Sequence, residues 1–385
     1  MSIKTAAAGL AGLSATDIFF LKSLRHHWWP WRFHKLPLSR FEFPPVPPVD
    51  DIDRELASRI VVFYGRTAGP VGEGQRSPMW DRNITSNQAP LVEALRRKDE
   101  EAVAGILRQF LRTSVVRGID AGDSYKAGNW RVHSIKLLDC LICLAEQIGT
   151  AEAESSQGAS ARALANGTES VVEAIQQELG IEIGVPAVGA PYGMRIGGQL
   201  LTLNGAEYAR LAWRLHRATA SLKRPMKVLE IGAGYGALAR CFLQFDTVER
   251  YTIVDLPEMA CLQAYYLGKC LGPSEVSLFG ENPSRVMIVP PGALADVQPV
   301  DIVLNQDSLP EIPVDAAKAY LSWIRDNLTG LFFSCNHETI VPGYAVTTVP
   351  SLIADVGGLE RISRDLCWSR PGYVEEVYRP IRRAG

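Results

Sequence analysis

Long apolar runs are missing from this chain: no window approaches the ~18 residues that would suggest a membrane span. An excess of either charge is missing too. Forty Lys and Arg face 42 Asp and Glu, for a formal net charge of −2, so there is no global basic field for bulk nucleic-acid binding. Cysteine is sparse and scattered, at 140, 143, 241, 261, 270, 335 and 367. Only Cys140 and Cys143 form a CxxC, and they sit inside "IKLLDCLICLAEQI", an apolar helix pattern. With no second cysteine or histidine pair nearby, they are expected to be small core residues rather than a zinc or redox site. The inventory suits a reducing cytosol. No internal repeat is present, and no metal-ligand spacing stands out. "DDID" at 50–53 imitates an acidic metal motif, but its proline-rich surroundings give it the character of a solvated loop.

What is present is a soluble, globular composition: 385 residues, 47% hydrophobic and 21% charged, enough for two or more domains. The opening "MSIKTAAAGLAGLSATDIFFLK" has Asp17 in its apolar stretch and Lys22 followed by aromatics, so export is not expected and a cytoplasmic location is. Residues 1–48 form an aromatic and basic arm ending in a proline-rich linker. Within it "FFLKSLRHHWWPWRFHK" (19–35) interleaves aromatics with Lys22, Arg25, Arg32 and Lys35. That pattern suits peripheral contact with the inner face of an anionic membrane, or docking on the chain itself or on a sister subunit of a homo-oligomer. "FPPVPPVDD" (43–51) is stiff and extended.

Residues 49–182 are expected to be a mainly helical domain. Leu91, Leu95, Val103, Ile106 and Leu107 recur at helical spacing, and two further amphipathic runs end at Gly149 and Gly180. Residues 183–224 begin with "IGVPAVGAPYGMRIGGQLLTL", a glycine-rich stretch centred on Tyr192, and continue as a helix. Glycine-rich loops can close over ligands, which makes this stretch a candidate lid and Tyr192 a candidate cofactor contact. From 225 to 385 strands and helices alternate, with strands expected at 226–231, 250–255, 284–290, 300–306 and 330–336. The fold class is therefore α/β: a doubly wound, mostly parallel sheet with a helical N-terminal region. Ligands in such sheets bind at the carboxyl ends of the strands.

"KVLEIGAGYGALARCF" (227–242) is where a ligand would sit. Gly232, Gly234 and Ala237 satisfy a dinucleotide pattern, which alone is a weak signal. Glu230 precedes the first glycine and would repel a pyrophosphate held on that turn. S-adenosylmethionine (SAM) carries no phosphate and brings a sulfonium and an ammonium with one carboxylate, so charge favours it. Asp255, ending the second strand, can accept both hydroxyls of a ribose, for SAM or for NAD alike.

The stretch "VLEIGAGYGALAR…YTIVDLPEMACLQAYYL" resembles the SAM-dependent class I methyltransferases. With "GAPYGM", "NQDSLPEIP" and the closing "WSRPGYVEEVY", the chain resembles more narrowly the bacterial putative sugar O-methyltransferase family, over about residues 79–380. The resemblance implies a Rossmann-like domain that binds SAM through Glu230, Gly232, Gly234, Tyr235, Gly236, Asp255, Leu256 and Asn305. It also implies a saccharide or lipid-linked saccharide as substrate, in polysaccharide biosynthesis.

O-methylation of a weakly acidic hydroxyl calls for a base or a metal near the acceptor. His337, whose titration range suits proton removal near neutral pH, is the candidate base. Asp307 can orient it, act as base itself, or bind a divalent cation with Glu338. Glu311 is expected to hold its loop, and Arg131 and His133 are further candidates for reaching an acceptor. The alternatives are a methyltransferase for another small hydroxylated metabolite, a non-catalytic SAM-binding scaffold, and an NAD-dependent oxidoreductase.

Overall fold

The computed structural model describes residues 13–25, 36–69, 76–155, 162–220, 224–340, 347–370 and 372–381. The large sheet has eight strands: β4 (Met226–Ile231), β5 (Val248–Val254), β6 (Val276–Leu278), β7 (Val286–Val289), β8 (Val300–Gln306), β9 (Leu328–His337), β10 (Leu359–Leu366) and β11 (Tyr373–Pro380). Their spatial order is β10-β11-β9-β8-β4-β5-β7-β6. Strands β4 to β9 pair in parallel, whereas β11 runs antiparallel between β9 and β10. The chain winds one way from β4 through β5 to β7, then crosses back to β8 on the other side of β4. The sheet is thus doubly wound and Rossmann-like, with its switch point between β4 and β8.

The central strands are mostly apolar because both faces are covered, with Lys227, Glu230, Asp301 and Asn305 among the exceptions. On one face Leu229, Ile231, Val254 and Val303 pack beneath the helices Val314–Asn327 and Val349–Val356. On the other face one apolar cluster joins Val228, Ile253, Ile302 and Leu304 to the helices Ala237–Phe242 and Pro257–Leu271. That cluster continues into Leu56, Ile60, Leu107, Leu141 and Ile175 of the preceding region. Residues 49–182 therefore share a core with the sheet instead of packing as a body of their own. Gly268 marks the closest approach: a Cβ there would meet Leu56 Cδ2 at 2.6 Å. Cys140 and Cys143 are buried in the helix Trp130–Ile148.

Two expectations change, and one hairpin has no expectation attached to it. "DDID" does not form a solvated loop, because it opens the helix Asp51–Thr67: Asp50 and Asp53 form a reciprocal capping box, and Lys269 bridges both at 2.7 and 2.9 Å. The glycine-rich stretch is not a lid. Gly193–Ile196 (β2) and Gln199–Leu201 (β3) form a hairpin that pairs with Phe41–Glu42 (β1) in a small second sheet. The hairpin β10–β11 carries too many charges to announce itself as strand, and it completes the large sheet.

The described part of the N-terminal arm docks on its own chain. Asp17, in the helix Ala15–Lys22, is fully buried and accepts from Asn129 N at 2.9 Å, and Lys136 Nζ donates to Ser23 O at 2.9 Å. Residues 26–35 of the expected membrane patch lie outside the described residues. Among the described residues no helix is long and apolar enough to cross a membrane.

Candidate active site

Strand β4 ends in a turn that only glycine accommodates at two points. Gly232 (φ 72°) lies under Ser308, where a Cβ would come within 2.3 Å of Oγ; Gly234 (φ 58°) lies against Ile119, where a Cβ would meet Cγ2 at 2.9 Å. Asp255 braces this turn from the end of β5. Its Oδ2 accepts from Ala233 N at 3.1 Å and from Gln263 Nε2 at 2.6 Å, and Oδ1 accepts from Leu256 N at 2.8 Å. Leu256, not Asp255, occupies the N-cap position of the following helix. Burial pushes the Asp255 carboxyl up to about 7, against the pull of these donors. Glu230, 2% exposed, is likewise pushed up to about 7 by burial, while Tyr251 Oη donates to its Oε2 at 2.7 Å.

Above the turn opens a crevice of about 1090 Å³, part of it open to solvent. The turn and the end of β5 border it through Glu230, Gly232, Gly234, Asp255 and Leu256. The region before the sheet supplies Trp80, Ile119, Asn204, Glu207 and Tyr208 to the same crevice, with Gln306, Asp307 and Arg370 from later in the chain, and Ile119 lies against Gly234 of the turn. Asp307 follows β8 in a left-handed conformation (φ 58°), held there as its N–H donates to Cys335 O at 3.0 Å. Arg370 Nη2 and Tyr373 Oη donate to its two oxygens, each at 2.8 Å. Glu311 Oε2 accepts from Trp80 Nε1 at 3.1 Å.

Other expected site residues lie elsewhere. Asn305 is buried beneath the turn, donating to Ile231 O at 2.9 Å and accepting from Asn336 Nδ2 at 2.9 Å; it clamps β4 to β9 and does not face the crevice. The ring of Tyr235 is buried against Phe110 and Tyr266, and Gly236 abuts Leu267. Tyr192 is removed from the crevice: it stacks on Tyr125 at 4.7 Å and shares a hydrogen bond with His133 Nδ1 at 3.2 Å. His133 is fully buried beside Asp17, at 3.2 Å. Glu338 pairs with Arg364 of β10 at 2.7 Å, which holds its carboxyl below the usual range. It is no partner for Asp307. His337 does not border the crevice either, but it stands behind Asp307.

Two groups of donor atoms lie within 4.8 Å of one another among the described residues: Asp307, Glu311 and His337, and the buried set Glu207, Cys335 and Cys367. Two carboxylates and an imidazole suit a divalent cation by ligand type, although both Asp307 oxygens already have partners. The residues missed from sequence are Trp80, Glu207, Tyr208 and Arg370. Each is brought to the crevice by tertiary packing; Arg370 lies within the closing "WSRPGYVEEVY", and no local motif marks the other three.

No protein-family model matches the chain, and no curated protein does. Among solved structures, it is similar to the Burkholderia thailandensis 1,6-didemethyltoxoflavin-N1-methyltransferase with bound 1,6-didemethyltoxoflavin and S-adenosylhomocysteine. The identity is 24% over 46% of this chain and 79% of that one, at a TM-score of 0.33. An O-methyltransferase family protein from the same organism matches at 12% identity over 46% of this chain and 59% of that one, also at 0.33. The N-methyltransferase NodS from Bradyrhizobium japonicum, in complex with S-adenosylhomocysteine, matches at 13% identity over 45% and 86%, at 0.34. Likenesses of this size add nothing to what the crevice's own residues say about cofactor and acceptor.

Proposed function

We propose that this chain transfers a methyl group from SAM to a hydroxyl of a saccharide, as part of a cell-surface glycan or its lipid-linked precursor. The observation that carries the cofactor is the charge around the turn. The described residues bordering the crevice include five carboxyl groups, on Glu207, Glu230, Asp255, Asp307 and Glu311, and one guanidinium, on Arg370. A pyrophosphate would face repulsion with no compensating cation on the turn. SAM, with a net positive charge, is attracted, and Asp255 stands where a ribose diol can be received.

On the acceptor side, Trp80 and Tyr208 offer flat apolar faces beside Asn204, Gln306 and Asp307, a mixture that suits a sugar ring with its hydroxyls. In the transfer the acceptor oxygen attacks the methyl carbon, the C–S bond breaks, and the electron pair returns to sulfur, leaving neutral S-adenosylhomocysteine. The hydroxyl proton passes to the cluster of Asp307, Glu311 and His337. Arg370 and Tyr373 hold Asp307 in place, and alignment together with exclusion of water accounts for most of the remaining rate.

The test is calorimetric titration with SAM and with NAD, followed by labelled-methyl transfer to a panel of saccharides and small hydroxylated metabolites. Uptake of NAD without SAM would overturn the reading. Methylation confined to non-saccharides would move the acceptor class, and SAM binding without any turnover would favour a scaffold. Asp307→Asn and His337→Gln are each expected to lower kcat by about 100-fold.

A further inference from the structure

Around the space proposed for the acceptor stand the acids Glu207, Asp307 and Glu311 and one cation, Arg370. Glu207 stands in the first turn of the helix Gly205–Ala218, where the helix N-terminus favours its ionised form, and it is 6% exposed. Its Oε1 accepts from Gln306 Nε2 at 3.2 Å, and the Ser369 side chain is a second donor to the carboxylate; both donors are neutral. The nearby cations are committed to other acids. Arg370 donates to Asp307 at 2.8 Å and lies over the Tyr373 ring, and Arg210 donates to both oxygens of Glu375. Burial raises the Glu207 carboxyl, with Arg370 and Arg210 pulling it back. Tyr208 and Trp80 border the same space, and aromatic faces attract cations.

We propose that the acceptor carries an ammonium group that pairs with Glu207: an amino-bearing saccharide, and not a uronic acid or a sugar phosphate. The inference rests on the methyl-transfer reading above and names the substrate class within it. It also fixes which atom is methylated. An ammonium beside a carboxylate keeps its proton, so the nitrogen lone pair is unavailable. The neighbouring hydroxyl oxygen forms the bond to the methyl carbon, and its proton goes to the Asp307 cluster. The product is an O-methyl amino sugar plus S-adenosylhomocysteine.

The experiment titrates the full chain, saturated with S-adenosylhomocysteine at pH 7, with the methyl glycosides of glucosamine, glucose and glucuronic acid. The glucosaminide is expected to bind at least tenfold more tightly than the glucoside, with the glucuronide weakest. Glu207→Gln should reduce the amino preference at least fivefold, and Glu207→Asp should retain it; neither should move the affinity for S-adenosylhomocysteine more than twofold. Mass spectrometry of the turnover product should place the methyl on oxygen. Equal binding of the three glycosides, a preference for the glucuronide, or a preference that survives Glu207→Gln would overturn the proposal. So would N-methylation, or a neutral glycoside that binds only once manganese is added, because a metal would then fill the cation's place. Binding of S-adenosylhomocysteine with none of the glycosides removes the inference and leaves the SAM assignment standing. Failure to bind S-adenosylhomocysteine removes both.

Discussion

Tyr251 and Glu230 occupy neighbouring strands, and the phenol donates to the carboxylate at 2.7 Å inside a fully covered sheet. This is the one hydrogen bond recorded for the Glu230 side chain among the described residues, and it favours the charged form. Tyr251→Phe is expected to push the Glu230 carboxyl above about 7 and to weaken SAM binding about tenfold at neutral pH. The loss should shrink as pH is raised, and calorimetry at two pH values checks both points.

The pH dependence of the native chain has a definite sign. Burial raises both Glu230 and Asp255 to about 7, so protons hold these acids neutral below that pH. A cationic ligand prefers them ionised. SAM affinity should therefore rise as pH goes from 6 to 8, with proton release on binding. In Glu230→Gln the rise should be roughly halved. A flat profile in the native chain would contradict the pairing.

Substitution at the turn separates steric from backbone effects. Gly234→Ala places a Cβ 2.9 Å from Ile119 Cγ2 at a positive φ, and SAM binding should fall by at least tenfold. Ile119→Ala in the same chain should recover the steric part only, since the backbone strain of ~1 kcal/mol persists.

Glu375 anchors the far side of the sheet. It receives Arg210, 1% exposed, and Arg214, both from the helix Gly205–Ala218. Glu375→Gln leaves the buried Arg210 without its acid, while Arg214 keeps Asp365 at 3.0 Å, and should destabilise the chain by about 3–5 kcal/mol, read from urea unfolding. Glu338→Gln, which removes only the exposed partner of Arg364, should cost about 1 kcal/mol or less.

The parallel half of the sheet is legible in the sequence because its strands are apolar and short. The expected 226–231 and 300–306 coincide with Met226–Ile231 and Val300–Gln306, the other three expected strands differ only at their ends, and the three-residue β6 has no counterpart among the expected strands. Glu230 and Asp255 are readable because strand, turn and strand fix their places locally. The acceptor wall is not readable in this way. Trp80 and Glu207 become neighbours of Asp307 only through the packing of helices far apart in the chain. Strand β11 hides for a related reason: Glu375 and Glu376 look solvent-bound until Arg210, Arg361 and Arg364 are seen to meet them. Tyr192 shows the opposite error. Glycines around an aromatic resemble a mobile flap, but Phe41, Phe43 and Tyr125 hold that ring in a packed cluster.

Ile119 fills the space that a side chain at position 234 would need, so an early segment of the polypeptide supplies part of the nucleotide pocket's wall. The C-terminal sheet is therefore not a transplantable cassette. Excised at residue 225, it would present a half-built groove. A chimera that borrowed another protein's amino-terminal half would have to re-create this one contact before the crevice was whole.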